Sequence, residues 1–494
     1  VPCSTKRVPG PALSTGAAWL PELYGDLVGH RLLTENIKSK ESLWRNVSVA
    51  GSPAGSHRKQ ALVYCGWVAF WNMEVMALKG GPSGEFVIWG DLIAGLGALG
   101  YKLTVVNKMV DLWILLMADP TFFDIVVTDY DGLGSFENIG HFPRYHCRYY
   151  LVDGFGTQEK FNVKRHLNLK RILTPYEFDG SNSAIHMVTS QLPRSEWSAK
   201  RSRSGLIWAK NPAYVKKPAN LDALKVITSP GVKLFTTFGK AARSQGDIAV
   251  KNVLNLGFRE KRQYLRLLTE HRFLLGMGQP LDGPTALEAM AHGCTFINPV
   301  FPKPVVTGGK PTRFEYRSQH PFVQAHIPPP YAYTIDYRNA TLLAATVREI
   351  LASDAAPFVH PFHTAGAYVE NLRHILETQQ GNCPAAHKPN KHVGNAVYKS
   401  FGAFVRAGCG TNKKCTRPEW SEVGSRSMEL AERLLLNPAR VMDYEKAWPR
   451  SQDSMPRCCN MLAFALFFWL QGGCSSLIIV YYFCLLLSCP PPAT

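Results

Sequence analysis

The chain has 494 residues, 46% of them hydrophobic and 19% charged, a balance that excludes a disordered protein and allows two ordinary domains with extensions. Its formal net charge of +18 suits an anionic partner such as a sugar nucleotide or an acidic polysaccharide. The basic residues are scattered rather than striped and no zinc-finger or RNA-binding signature accompanies them, so no nucleic-acid partner is expected.

Residues 1–57 are rich in Gly, Pro and Ser and show no periodic apolar segment, so they read as a stalk or disordered lead-in. The apolar run Ala61-Leu62-Val63-Tyr64-Cys65 then has the profile of a buried parallel strand. The loop Gly80-Gly81-Pro82-Ser83-Gly84 opens a helix at Glu85. In it Phe86, Trp89, Ile93, Leu96 and Leu99 recur at helical spacing on one face, and Gly100 supplies the stop. Further strands are expected at 103–106, 125–128 and 149–152, which makes residues 58–204 a doubly wound, Rossmann-like α/β domain. Glu85 stands out. The helix dipole alone would favour a surface carboxylate in a first turn. The glycine loop before it, however, lets a bulky ligand reach the backbone, and a carboxylate facing a cleft can serve as a general base.

A second Rossmann-like domain is expected over residues 205–382, opening with a strand at 206–210 and continuing with one at 233–239 and an amphipathic helix at 259–272. Its organising stretch is 273–299. Phe273-Leu274-Leu275 runs as a strand into Gly276 and Gly278. A helix is expected to start at Pro284, with Gly283 as its N-cap, and to stop at Gly293; Cys294 to Ile297 restarts a strand. The first backbone N–H groups of that helix, from Thr285 on, would face the crevice where anionic ligands bind, and Glu288 one turn in suits the two hydroxyls of a ribose. A late helix is expected at 339–353, with Leu343, Val347, Ile350 and Leu351 on its buried side.

Several segments together resemble glycosyltransferase family 18. They are Gly80 through Glu85 with Phe86, Val87, Trp89 and Asp91; Tyr145-His146-Cys147-Arg148; Asp153, Phe155, Gly156 and Thr157; Asp282-Gly283-Pro284 with Leu287 to Gly293; and Gly308-Gly309-Lys310-Pro311-Thr312. The resemblance covers roughly residues 58–383, and nothing from Thr416 onward carries it. It implies a GT-B fold, two facing Rossmann-like domains with the active site in the cleft between them. It further implies inverting transfer of N-acetylglucosamine from UDP-GlcNAc to the 6-hydroxyl of an α-linked mannose on N-glycans of glycoproteins. Glu85 would be the catalytic base. Glu288, Asp282, Gly283, Pro284 and Thr285 would bind the nucleotide sugar, and Lys310 would lie near the leaving diphosphate. Branching of O-mannosyl glycans, or a non-catalytic lumenal glycan-binding role, remain alternatives. Two positions depart from the family pattern: Leu281-Asp282 stands where it has an aromatic-Glu pair, and Asn252-Val253-Leu254 where it has Asn-His-Gly. With no His-Glu-x-x-His pattern and no clustered Asp-x-Asp loop recognised, no metal and no cofactor is expected.

Cys65, Cys147 and Cys294 are expected to be buried free thiols, and Cys383, Cys409 and Cys415 to mark a disulfide-bearing extension over 383–454. Two glycosylation triplets begin at Asn46 and Asn339 and permit a secretory location. A Golgi membrane location with a lumenal catalytic domain is expected, through an N-terminal anchor outside this sequence. The uncharged run 461–487 could also span a bilayer, but residues 455–494 are read as an apolar tail foreign to the native fold.

Overall fold

The structure, a computed structural model, describes residues 19–379 apart from 28–29, 48–57, 72–76, 78–83, 108–111, 113–114, 117–120, 139–140, 155–166, 168, 178–181, 198–200, 210, 239–247, 249 and 308–313. All described residues except Leu115 and Leu116 belong to one compact unit built on two parallel sheets.

The first sheet runs β2-β1-β3-β4-β5-β6. Its strands are β1 (Gln60–Tyr64), β2 (Lys102–Val106), β3 (Ile125–Thr128), β4 (Tyr149–Val152), β5 (Ile172–Thr174) and β6 (Ser183–Ala184), and every pairing is parallel. Every residue of β1, β3, β4 and β5 is buried. Helices on both faces of a parallel sheet force this, which is why these strands read as unbroken apolar runs.

The second sheet holds β7 (Ser202–Trp208), β8 (Lys233–Thr236), β9 (Val253–Asn255), β10 (His271–Gly276), β11 (Thr295–Thr307), β12 (Phe314–Ser318) and β13 (Ala332–Ile335). The core of it is parallel, and only β12 runs antiparallel, against β11. Side chains alternate between two cores, as a period of two requires. Leu206, Trp208, Leu274 and Phe296 join the core shared with the first lobe, whereas Ile207, Phe273, Leu275 and Ile297 join a separate core with Leu343 and Val347.

Both sheets reverse direction beside their founding strand, the first between β1 and β3 and the second between β7 and β10. Such switch points open a crevice at the carboxyl ends of the strands.

The Glu85 helix, Gly84–Ala98, corrects the picture of a single apolar face, since every residue from Phe86 to Ala98 is buried. Three elements cover it. The helices Trp19–Asp26 and Arg31–Lys38 pack on it, so residues 19–47 are no stalk. Leu20, Leu23, Leu33, Ile37 and Trp44 are buried there, each worth on the order of 2 kcal/mol as removed apolar surface. Lys40 also reaches in: its ammonium lies 2.7 and 2.9 Å from the two oxygens of Asp91, whose Oδ2 accepts the Val188 N–H at 2.8 Å. The third element is the helix Ala365–Gln379, which leaves the second lobe and returns to the first. A Cβ on Gly95 would sit 2.8 Å from the Tyr368 ring, so glycine there permits the close packing. The Ala365–Gln379 helix thus packs on the first lobe although it follows the second in the chain.

One further correction concerns cysteine. Cys65 and Cys294 are buried free thiols as expected, but Cys147 is disulfide-bonded. The expected disulfide region and apolar tail, 383–494, lie outside the described residues. Among the described residues no helix is long and apolar enough to cross a membrane.

Candidate active site

Glu85 lies in the first turn of its helix and lines an open cleft with Trp67, Trp89, Asp129, Tyr130 and Gly154. Trp67 follows β1, Asp129 and Tyr130 follow β3, and Gly154 follows β4, so the cleft is the crevice of the first sheet's switch point.

Asp129 was not singled out from the sequence, although Asp129-Tyr130-Asp131 is an Asp-x-Asp triplet and the expectation that none occurs was wrong. Its geometry shows a structural role. Oδ1 accepts the Gly132 N–H at 2.7 Å, which makes Asp129 an N-cap of the helix Tyr130–Asn138. Oδ2 accepts the Trp67 N–H at 2.9 Å and the Cys65 thiol at 3.4 Å, which ties the loop after β1 to the loop after β3. Burial pushes the carboxyl up to about 6 against the pull of those donors. Among the described residues no group of three or more His, Cys, Asp or Glu is placed to hold a metal.

On the facing lobe the helix spans Thr285–Ala291. Pro284 already has helical angles (φ −62°, ψ −18°), and Gly293 ends the helix at φ +74°. Arg201 binds the last carbonyls, donating to the oxygens of Gly293 and His292, and so sets a cation at the negative end of the dipole. With seven residues the helix is only two turns long, so charged side chains rather than a long dipole set the local field.

The loop before it is fixed by a residue to which the sequence gave no role. Gln319 is fully buried. Its Oε1 accepts the Gly278 N–H at 2.7 Å, its Nε2 donates to the Pro280 oxygen at 2.8 Å, and its backbone oxygen accepts the Asp282 N–H at 3.1 Å. Asp282 thereby sits at φ +45°, a region Asp tolerates better than most residues. Its carboxyl is buried, hydrogen-bonded by Tyr316, and 3.5 Å from His320 Nδ1. Burial drives Asp282 up to about 7 and His320 down to about 3, so the imidazole is neutral and the contact is not an ion pair. Asp282 Oδ1 makes no hydrogen bond among the described residues.

Glu288 is mostly buried and bonded through Oε1 to the ammonium of Lys261. Burial pushes its carboxyl up, but Lys261, by charge and hydrogen bond, outweighs this and leaves it below the usual range. Lys310 and its loop, 308–313, lie outside the described residues.

The two motifs meet. A Cβ on Gly84 would stand 3.2 Å from Pro284 Cδ, so the Gly84 turn that carries Glu85 touches the turn that carries Asp282 and Glu288. Two Rossmann-like lobes with their switch-point crevices brought together in this way define the GT-B class.

The chain belongs to glycosyltransferase family 18, whose profile matches residues 30–467. The match starts before residue 58 and runs past Thr416, so the family's reach along the chain exceeds that read from the motifs. Among curated proteins, human alpha-1,6-mannosylglycoprotein 6-beta-N-acetylglucosaminyltransferase B is 28% identical over 378 residues, 67% of this chain and 47% of that protein. The human A enzyme is 28% identical over 364 residues, 65% of this chain and 48% of that protein. The chain thus spans about half the length of the curated relatives it matches. Among solved structures, an O-GlcNAc transferase mutant from Thermobaculum terrenum superimposes with a TM-score of 0.40 at 11% identity, covering 66% of this chain and 68% of that one.

Proposed function

We propose that the protein transfers N-acetylglucosamine from UDP-GlcNAc to the 6-hydroxyl of an α-linked mannose on N-glycans, with inversion and without a metal. The observation that carries this reading is the Gly84–Pro284 contact, which sets the candidate base and the candidate donor loop side by side. Glu85 takes the proton of the acceptor hydroxyl as its oxygen attacks C1 of the donor sugar. The C1–O bond to the diphosphate breaks, and UDP departs with the electron pair. Glu288 holds the ribose, while Oδ1 of Asp282, which has no partner among the described residues, is an acceptor available to a sugar hydroxyl, since a buried oxygen normally has a partner. Lys310 is assigned to the leaving diphosphate on the family resemblance alone. Trp67, Trp89 and Tyr130 offer aromatic faces against which an acceptor sugar can pack. Similarity to the two human enzymes supports the choice of sugar and acceptor. A Golgi-membrane enzyme with its catalytic lobes in the lumen would meet such acceptors.

The test is UDP release from UDP-GlcNAc with a biantennary N-glycan acceptor in EDTA, with an O-mannosyl glycan as a parallel acceptor. Turnover on the N-glycan in EDTA is expected. Turnover confined to the O-mannosyl glycan would replace the acceptor. Abolition by chelation would overturn the metal-free mechanism, and no turnover on either acceptor would favour a glycan-binding role.

A further inference from the structure

Lys261 has no motif to recommend it, yet it is the residue that reaches the candidate ribose carboxylate. It is the first residue of the helix Lys261–Glu270, whose start is set by Gln263 accepting the Glu260 N–H at 3.4 Å. That helix packs beside the Glu288 helix, and the Lys261 ammonium crosses to Glu288 Oε1. The lysine side chain is 41% exposed and that of Glu288 12%, so the pair sits where a ligand can reach it. The second carboxylate oxygen, Oε2, has no hydrogen bond among the described residues.

We infer that Lys261 is a positioning residue of the donor site, holding Glu288 ionised and turned so that Oε2 faces the vicinal diol of a nucleoside diphosphate. This rests on the nucleotide-sugar reading of the cleft. The physical case is a competition. Burial opposes charge on Glu288, and the nearby ammonium outweighs it. Lys40 and His292 add smaller favourable fields, while Tyr176 and Tyr264 also sense the carboxylate and supply no positive charge. Without Lys261 burial is opposed only by the smaller fields of Lys40 and His292, so the carboxyl takes up a proton more readily as the pH falls. A protonated Glu288 is a weaker acceptor for ribose hydroxyls. Donor affinity then gains a dependence on pH beyond whatever the unaltered protein shows.

The experiment compares the unaltered protein with K261M, K261Q and K261R, measuring calorimetric UDP binding and UDP-GlcNAc kinetics between about pH 5.5 and 7.5. For K261M the expected result is a UDP Kd and a donor KM raised about tenfold at the acid end. The rise, taken relative to the unaltered protein at the same pH, should shrink toward the alkaline end, with kcat at saturating donor nearly unchanged and K261R restoring the profile of the unaltered protein. K261Q should follow K261M and decides the matter if K261M fails to fold. A K261M or K261Q profile superimposable on that of the unaltered protein overturns the inference alone, as does a fall in kcat at constant KM. If the unaltered protein itself binds no UDP, the nucleotide-site reading fails first and this inference with it.

Discussion

Glu85 and Asp129 share one cleft and differ in what surrounds them. Asp129 accepts two backbone N–H groups and a thiol, whereas among the described residues no such set of donors encloses Glu85. A base has to be free to receive a proton from a ligand, which is why the proposed mechanism gives that role to Glu85 and not to Asp129. Glu85→Gln keeps the shape and removes the basicity. It is expected to lower kcat by about 10²–10⁴-fold while UDP binding is retained. An unchanged rate, measured by UDP release, would remove Glu85 from the mechanism. Asp129→Ala should act differently. Loss of an N-cap costs about 1 kcal/mol, and loss of the tie to Trp67 loosens the cleft, so its thermal stability and its acceptor KM should both worsen. A stability unchanged from that of the parent would show that the tie carries nothing.

The elements nearest the site differ in how local their causes are. The strands β1, β3, β4 and β10 lie at or within a residue or two of the expected runs, because a strand buried on both faces writes itself as consecutive apolar residues. The Glu85 and Glu288 helices were legible through their turn residues, Gly84, Pro284 and Gly293. The helices between Trp19 and Arg45 were not. Each has at most eight residues, too few for a periodic pattern, and their apolar side chains gain meaning only against the Glu85 helix. Lys261 and Gln319 were invisible as functional residues for a similar reason: their partners lie 27 and 41 residues away along the chain. Gln319 bridges Gly278 and Pro280, so Gln319→Ala leaves a half-buried N–H and a half-buried carbonyl without this partner. That should cost about 1–3 kcal/mol and raise the donor KM through the displaced Asp282 loop. A denaturant melt matching that of the parent, with an unaltered KM, would show that the loop holds its shape without this bridge.

Across the whole molecule the passage from one lobe to the other is lined with histidine. His186, His326, His360 and His363 surround Phe322 with ring centroids 4.7 to 6.1 Å from its own, and His320 stacks edge-on against neighbouring Tyr176 at 4.9 Å. Burial pushes His186 down to about 4 and both His320 and His363 down to about 3. In the unfolded chain each would titrate near 6.5, so between these values the unfolded state binds more protons than the folded one. The contribution of these three histidines is therefore complete above about pH 6.5 and declines as the pH falls, by up to about 1.4 kcal/mol per pH unit for each. The buried carboxyls Asp129 and Asp282, raised to about 6 and about 7, act in the opposite sense over part of the same range. Between pH 7.5 and 4.5 the melting temperature of His363→Gln should lose less, relative to its own value at pH 7.5, than that of the parent at the same ionic strength. Coincident acid limbs would rule this histidine out as a cause.

The contact between Gly84 and Pro284 has a bearing on how such a sequence can vary through descent. Two positions on different lobes share a space too small for a methyl group to enter freely, so a change at one is judged in the background of the other. Gly84→Ala should reduce turnover, because the added carbon would press the two turns apart. Pro284→Ala, which removes the ring carbon it would strike, should recover part of that loss. The pair should thus be non-additive, as neighbours in contact generally are. Strict additivity in the double-mutant cycle would show that the two turns drift independently. If they are coupled, the glycine in one motif and the proline in the other are inherited as a single character written in two places.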